Sequence, residues 1–350
     1  METVLRVVLF LEWIIKPIGR SMAKYNKNEA KEWAKEYVKG IYVTMCTAER
    51  FDEQTKEFKV SEKDIRHDVN HLIDVCKVSG FFLMGLYGNF YSFTVEERKR
   101  ITQIVVDENR GRVPIVCNCE HETFNDTIEM MQYAENVGVD FISLTGPRYG
   151  GNTTSINHVA LMYFQLAASK INIGLTIDNI NYVGYLMSPA LMAQLADIPN
   201  VGILKNVAPL ADTIQLRNLV GEKIMVIDPT EENLLVNTVQ FGQQAVMNGT
   251  AMMYDSEGDT PMKNYVDAAL NGDYKKAAER YYGMQPLRDV YEKWVHVPWD
   301  TDNRMPLAAV KFWSQQLGLS GGPTRPPSLA LSEKDKQELI ADLKAVGKIH

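Results

Sequence analysis

Between Gly40 and Asn248 the chain alternates short β-rich apolar runs with helical patterns, eight times over. The predicted strands are Gly40–Cys46, Phe81–Leu86, Val113–Cys119, Asp140–Thr145, Ile171–Ile177, Val201–Lys205, Lys223–Asp228 and Gln244–Asn248. Most are continuously apolar, as parallel strands covered on both faces must be. Helical patterns fall between them, near 62–79, 94–108, 123–137, 153–169, 188–196, 209–220 and 231–241. Glycine or proline marks many joints, among them Gly80, Pro114, Gly138, Gly174, Pro199 and Gly221. This count predicts a (β/α)8 TIM barrel. A doubly wound sheet would alternate too, but no glycine-rich dinucleotide fingerprint follows the first strand.

Beyond residue 260 the pattern is helical only: Met262–Asn271, Tyr274–Lys293, Leu307–Leu317 and Glu333–Val346, broken at Val297-Pro298-Trp299 and Pro323–Pro327. The N-terminal run Val4–Ile15 is apolar but carries Arg6 and Glu12. It is shorter than the ~20 residues of a membrane span, and no clean cleavage site follows it. It reads as an extra helix packed on the body or on another subunit, with a membrane-surface helix as the alternative. The expected division is an N-terminal helical extension over 1–38, a barrel over 39–258 and a C-terminal helical region over 259–350.

A net charge of −7 and no basic stripe with interleaved aromatics argue against a nucleic-acid partner. Cys46, Cys76, Cys117 and Cys119 make no disulfide framework, since the last two lie one residue apart on one predicted strand. A reducing compartment, the cytoplasm, is expected, with no membrane partner.

The apolar run Phe81–Met84 feeds a glycine-flanked turn, Gly85-Leu86-Tyr87-Gly88-Asn89, and then a helix capped by Thr94 with Glu97 three residues on. In a barrel such a loop lies on the catalytic face. Four other polar groups fall at predicted strand ends. Cys117–Glu122 is dense in titratable residues; alternation sends Asn118 and Glu120 to one face and Cys119 and His121 to the other. Glu120 and His121 suit proton transfer, or His121 and Glu122 merely cap and solvate a loop. Their spacing fits no specific metal motif, and no metal is expected. Arg148 in Gly146–Gly151 could take a carboxylate by two parallel hydrogen bonds, or could be a surface arginine. Asp178-Asn179 follows the fifth strand, and Asp178 could be a base or orient a hydroxyl. Asp228–Glu232 follows the seventh, where helix capping is the plainer reading. Near the eighth strand, Asn248 is a candidate substrate contact. Met247, Met252 and Met253 could adapt a pocket there, or be plain core.

The order of these motifs resembles the dihydrodipicolinate synthase / N-acetylneuraminate lyase family of class I aldolases. Gly85–Asn89 and Phe93–Arg98 look like its Gly-Thr-Thr-Gly-Glu loop and Leu-Thr-x-x-Glu-Arg helix start. Arg112-Val113-Pro114-Ile115 matches Arg-x-Pro-Val, and Gly138-Val139-Asp140 matches Gly-Ala-Asp. Pro199–Lys205 matches Pro-Asn-x-x-Gly-x-Lys with one slip, and residues 271–277 and Pro306–Leu319 also fit. The resemblance implies a barrel with a C-terminal helical extension, a lysine Schiff base to a 2-oxo acid, no cofactor, and a homodimer or homotetramer.

Departures are concentrated at the chemistry. Leu86 and Tyr87 replace the two threonines that hold the pyruvate carboxylate and relay protons, and Asn89 replaces the loop glutamate. The family's catalytic tyrosine falls at Thr176 or Ile177, beside Asp178 and Asn179. An arginine a few residues later is absent, with Asn181 near its place. Counted from Pro199-Asn200, Lys205 occupies the Schiff-base position; counted from Gly202, Leu204 does. On a strand one residue reverses the facing, so Lys205 points either to the barrel centre, as a desolvated nucleophile, or outward.

The reading is a lyase of aldolase or hydratase type acting on a 2-oxo acid or ketone through an imine at Lys205. Tyr87, Tyr149 and Asp178 would serve catalysis, and Arg148 or loop amides would hold a carboxylate. Leu86, Asn118, Glu120, His121, Thr176, Asn179, Asp228 and Asn248 would contact the substrate. The bulkier Leu86-Tyr87 loop implies a larger substrate than pyruvate with a small aldehyde. The alternatives are acid–base isomerisation, hydration or hydrolysis by Glu120, His121 and Asp178 without an imine, and a non-catalytic ligand-binding homologue.

Overall fold

A computed structural model describes residues 24–148, 156–302 and 304–350. Strand β1 (Gly40–Val43) is followed by an antiparallel hairpin, β2 (Glu49–Asp52) and β3 (Glu57–Val60). Then come β4 (Gly80–Leu83), β5 (Ile115–Asn118), β6 (Phe141–Leu144), β7 (Gly174–Asn179), β8 (Val201–Asn206), β9 (Met225–Ile227) and β10 (Ala245–Asn248). Eight of them run parallel in the order β10-β1-β4-β5-β6-β7-β8-β9, with helices between. This is the (β/α)8 barrel. Side chains bridge the seam between its last two strands. Gln243, just before β10, donates to the Asp228 carbonyl at 2.9 Å and accepts from the Asp228 amide at 3.0 Å, and Asn248 donates to the Pro229 carbonyl at 2.8 Å.

The register of β7 against β8 settles where Lys205 points. Leu175 pairs with Val201, but Thr176 pairs with Ile203, leaving Gly202 as an extra residue. Such a bulge shifts everything after it by one place and reverses its facing. It absorbs the slip seen in the sequence match: Asp178 pairs with Lys205, and both enter the barrel, while Leu204 is buried outside the cavity. Only glycine fits the bulge, since a Cβ there would sit 2.9 Å from the Ala30 carbonyl and 3.0 Å from the Phe141 ring.

Those neighbours belong to the barrel floor. Tyr25 and Trp33, the latter on helix Ala30–Tyr37, stack at 4.9 Å and meet Phe141 at 5.8 and 5.7 Å. The Tyr25 hydroxyl accepts from the Gly174 amide at 2.8 Å and donates to the Asp140 carbonyl, tying the floor to the starts of β7 and β6. The segment Val4–Ile15, expected to be an extra helix, lies outside the described residues.

The β2–β3 hairpin was not anticipated. Its strands, ERFD and EFKV, lack the apolar run that announces the others. Charge holds it in place: buried Glu49 accepts from Lys311 at 3.2 Å and from Arg325, whose other nitrogen reaches Glu97 at 2.7 Å. Glu97 also closes the predicted capping box with Thr94. The C-terminal helices form as expected, except that the run Tyr274–Lys293 divides at Met284 and passes through a π-helical turn, Glu292–His296. Trp294 Nε1 and Lys293 Nζ both donate to Asp342 at 2.7 Å, so the last helix, Glu333–Ala345, holds that turn.

At the barrel's exit to this region, Asp255 accepts from the amides of Met262 at 2.8 Å and Lys263 at 3.1 Å. Burial pushes its carboxyl up to about 8. The folded chain therefore holds this proton more tightly than the unfolded chain. The associated stability is complete below the unfolded value near ~4 and is lost as pH rises toward about 8. Melting temperatures should fall for the native chain relative to Asp255→Asn between pH 5 and pH 8. A parallel pH dependence in the two proteins would contradict this.

Candidate active site

The strands open at their C-terminal ends into a cavity of about 600 Å³. Lys205 Nζ donates to Asp178 Oδ1 at 2.8 Å, and both side chains are buried at the cavity base. The ammonium lies 5.1 Å from the centre of the Phe82 ring, where the π face favours positive charge. A lysine so enclosed is held in one orientation, and the adjacent carboxylate can exchange a proton with it.

The loop after β4 forms one wall. Met84 has φ +57°, a left-handed conformation rare for a side chain of its kind, and Asn118 Nδ2 pins its carbonyl at 2.9 Å. Past this point the amides of Leu86 and Tyr87 make no backbone hydrogen bond among the described residues, and both residues line the cavity. The Tyr87 ring lies over Gly249, where a Cβ would sit 2.6 Å from it. Its hydroxyl meets that of Tyr291 at 2.9 Å, and burial pushes Tyr87 up to about 12. Tyr87 is thus anchored to the C-terminal helices, and the Lys205 amine is anchored elsewhere, on Asp178.

Of the predicted substrate contacts, Leu86, Asn118 and Asn248 line this cavity. Thr176 is buried and does not line it. Asn179 binds Asn206 Oδ1 at 2.7 Å and the Met187 amide at 2.9 Å, which makes it a brace between elements. Asp228 is fully buried, accepting from the Thr230 amide at 2.9 Å, Asn233 at 3.0 Å and Asn237 at 3.1 Å. It closes a turn at Thr230 and ties the next helix through the side chains of Asn233 and Asn237, and neither Asp228 nor Thr230 caps that helix, which corrects the capping reading. Cys117 and Cys119 are buried free thiols, and the first faces Thr102 of helix Val95–Asn109.

Glu120, His121 and Arg148 line a separate space of about 360 Å³, which corrects their placement with Lys205. Arg148 binds Glu122 at 3.3 Å and stands 3.8 Å from Glu120. Having two carboxylates of its own, it is not directed at a substrate in the first cavity. His121 Nδ1 is 3.2 Å from Asp126 at the start of a helix. Glu120 accepts from Thr145 and, at 2.6 Å, from the hydroxyl of Tyr182. Tyr182 itself lines the Lys205 cavity. Burial raises the Glu120 carboxyl above its ordinary range. The trio Glu120, His121 and Asp178 therefore does not share one cavity. Tyr149 lies outside the described residues.

Residues missed in the sequence come from distant segments. Thr44 enters just past β1, and Tyr291, His296, Trp299 and Asp300 enter from the C-terminal helices. The last four sit in C-terminal helical segments whose pattern gives no sign that they turn back over a barrel mouth. Met247, named as a possible pocket residue, does line the cavity from β10.

The Dihydrodipicolinate synthetase family pattern matches residues 38–346. This chain belongs to that family. It is 25% identical to the N-acetylneuraminate lyase of Clostridium perfringens over 314 residues, 89% of this chain and 99% of that protein. It is 27% identical to the 4-hydroxy-tetrahydrodipicolinate synthase of Methanocaldococcus jannaschii over 317 residues, again 89% and 99%. The crystal structure of a dihydrodipicolinate synthase superposes with a TM-score of 0.74 at 25% identity, covering 89% of this chain and all of that one. The chain is a lyase-type member of the dihydrodipicolinate synthetase family.

Proposed function

We propose that this enzyme makes or breaks a carbon–carbon or carbon–oxygen bond beside a 2-oxo acid or ketone held as an imine on Lys205. The observation that carries this reading is the buried Lys205–Asp178 pair, 2.8 Å apart, at the base of an open cavity. Proton transfer from Lys205 to Asp178 leaves the neutral amine that attacks the carbonyl carbon. Water leaves as the imine forms, and Asp178 returns the proton that the departing oxygen needs. The imine then withdraws electrons from the neighbouring carbon, whose proton or carbon substituent departs. Asp178 is the group placed to receive that proton, a role the family gives to tyrosine. The Leu86 and Tyr87 amides are proposed to hold the carboxylate, since the loop's one hydroxyl, on Tyr87, is engaged with Tyr291 and Arg148 is engaged elsewhere. Tyr87 is proposed to shape the pocket and, through Tyr291, to position that loop.

Borohydride added with each of a panel of 2-oxo acids should leave the reduced ligand mass on Lys205. Asp178→Asn should lower kcat by about 10²–10⁴-fold, the range for a general acid–base group. Tyr87→Phe, which keeps the ring and removes one hydroxyl contact, should cost about tenfold or less. Equal losses in the two variants would transfer the proton role to Tyr87.

A homodimer or homotetramer is proposed as well. Met162 and Leu166 stand half exposed on helix Ile156–Ser169, apolar surface that a second copy would cover. Light scattering should give a multiple of 39.6 kDa; a monomer at micromolar concentration would overturn this.

A further inference from the structure

The cavity has a chemical polarity along its depth. At the base, the charge of Lys205 is met by Asp178. On the wall, Glu231 is met by Arg288, which reaches it with two nitrogens. At the mouth, Glu232 and Asp300 also line the cavity, and among the described residues neither is paired with a cation. His296, the other basic group there, is bound to Glu292 at 2.9 Å. No arginine lines this cavity among the described residues, and its only lysine is Lys205. The same mouth carries the half-buried indole of Trp299 and the apolar side chains of Val295 and Met305.

We propose that the part of the substrate lying beyond the imine carbon ends in a cationic group with an apolar jacket, such as an alkylated ammonium. A carboxylate or phosphate there would face two unneutralised carboxylates with no counter-charge to meet it. A neutral polyol would be accepted without gaining from the charge. An alkylammonium gains from both the carboxylates and the indole face. In the reaction this inference rests on the imine proposed above. The enamine carbon of the Lys205 adduct attacks the aldehyde carbon, the carbon–carbon bond forms, and the aldehyde oxygen takes a proton from Asp178. Water then cleaves the imine, releasing a hydroxylated 2-oxo acid and the free amine of Lys205. The reverse direction runs through the same bonds.

Two measurements test the inference separately from the chemistry. The first is binding alone, by calorimetry, of choline against its uncharged isostere 3,3-dimethylbutan-1-ol. Choline should bind about tenfold more tightly, and the difference should shrink in Asp300→Asn/Glu232→Gln and with added salt. The second is turnover of pyruvate with trimethylammonioacetaldehyde, 3,3-dimethylbutanal or succinic semialdehyde, with the cationic aldehyde ahead of the isostere and the anionic one last. Equal binding of choline and its isostere, or preference for the anionic aldehyde, overturns the proposal. If borohydride traps nothing on Lys205 while choline keeps its advantage, the imine reading fails and the cationic site stands.

Discussion

Lys205→Ala should abolish the borohydride adduct and lower kcat by about 10⁴-fold or more, the scale on which deleting the nucleophile of a covalent mechanism acts. Lys205→Arg is the informative companion. It keeps a positive charge beside Asp178, so the buried carboxylate stays paired, but a guanidinium cannot form the imine. Both variants should therefore be inactive, while only the alanine leaves Asp178 without its 2.8 Å partner. Mass spectrometry after reduction reads the adduct, and circular dichroism reads the fold. Full turnover by folded Lys205→Ala would remove imine chemistry and leave an acid–base reaction centred on Asp178.

Arg288→Ala should be the most damaging single change outside the catalytic pair. Arg288 and Glu231 are both buried, and the guanidinium grips the carboxylate in two places while lying 4.0 Å from the Tyr281 ring. Removing one member of a buried pair leaves a charge without compensation, at a cost of about 3–5 kcal/mol, a large part of a typical folding free energy. Urea unfolding should show this loss, and Arg288→Met combined with Glu231→Gln should recover much of it, because no buried charge then remains. An additive double variant would show that the pair is worth no more than its separate packing. Glu231 lines the cavity, so the substitution should also raise KM.

The barrel was legible because its strands are buried on both faces and so must be apolar throughout; the predicted runs and β1, β4 and β5 through β10 coincide to within a few residues. The hairpin β2–β3 escaped notice for the opposite reason, being held by Glu49, Lys311 and Arg325 more than by an apolar face. In the candidate site, Asp178 and the Leu86-Tyr87 loop were recognisable from their place at strand ends, and Lys205 from the resemblance of Pro199–Lys205 to the family's motif. The cluster Cys117–Glu122 is contiguous in the sequence, yet the structure parts it between the strand–helix layer at Cys117, the Lys205 cavity at Asn118 and a side space at Glu120, His121 and Glu122. Arg148 looked available for a carboxylate until Glu120 and Glu122 were found beside it.

By itself the sequence determined the fold class, the capped helix at Thr94, the C-terminal helices and the presence of a lysine near the end of the sixth barrel strand. Those features follow from local periodicity and cap chemistry, which act over a few residues. Only the tertiary structure decided which way that lysine faces. The deciding feature is one unpaired glycine, Gly202, whose place between the Ala30 carbonyl and the Phe141 ring depends on a floor built from distant segments. It also decided what surrounds Lys205: Tyr291, Trp299 and Asp300 reach the cavity because Asp342 on the last helix holds the π-helical turn that lies between Tyr291 and Trp299. Contacts between residues so far apart along the chain leave no periodic trace in the sequence, since they are selected by packing and charge pairing in three dimensions.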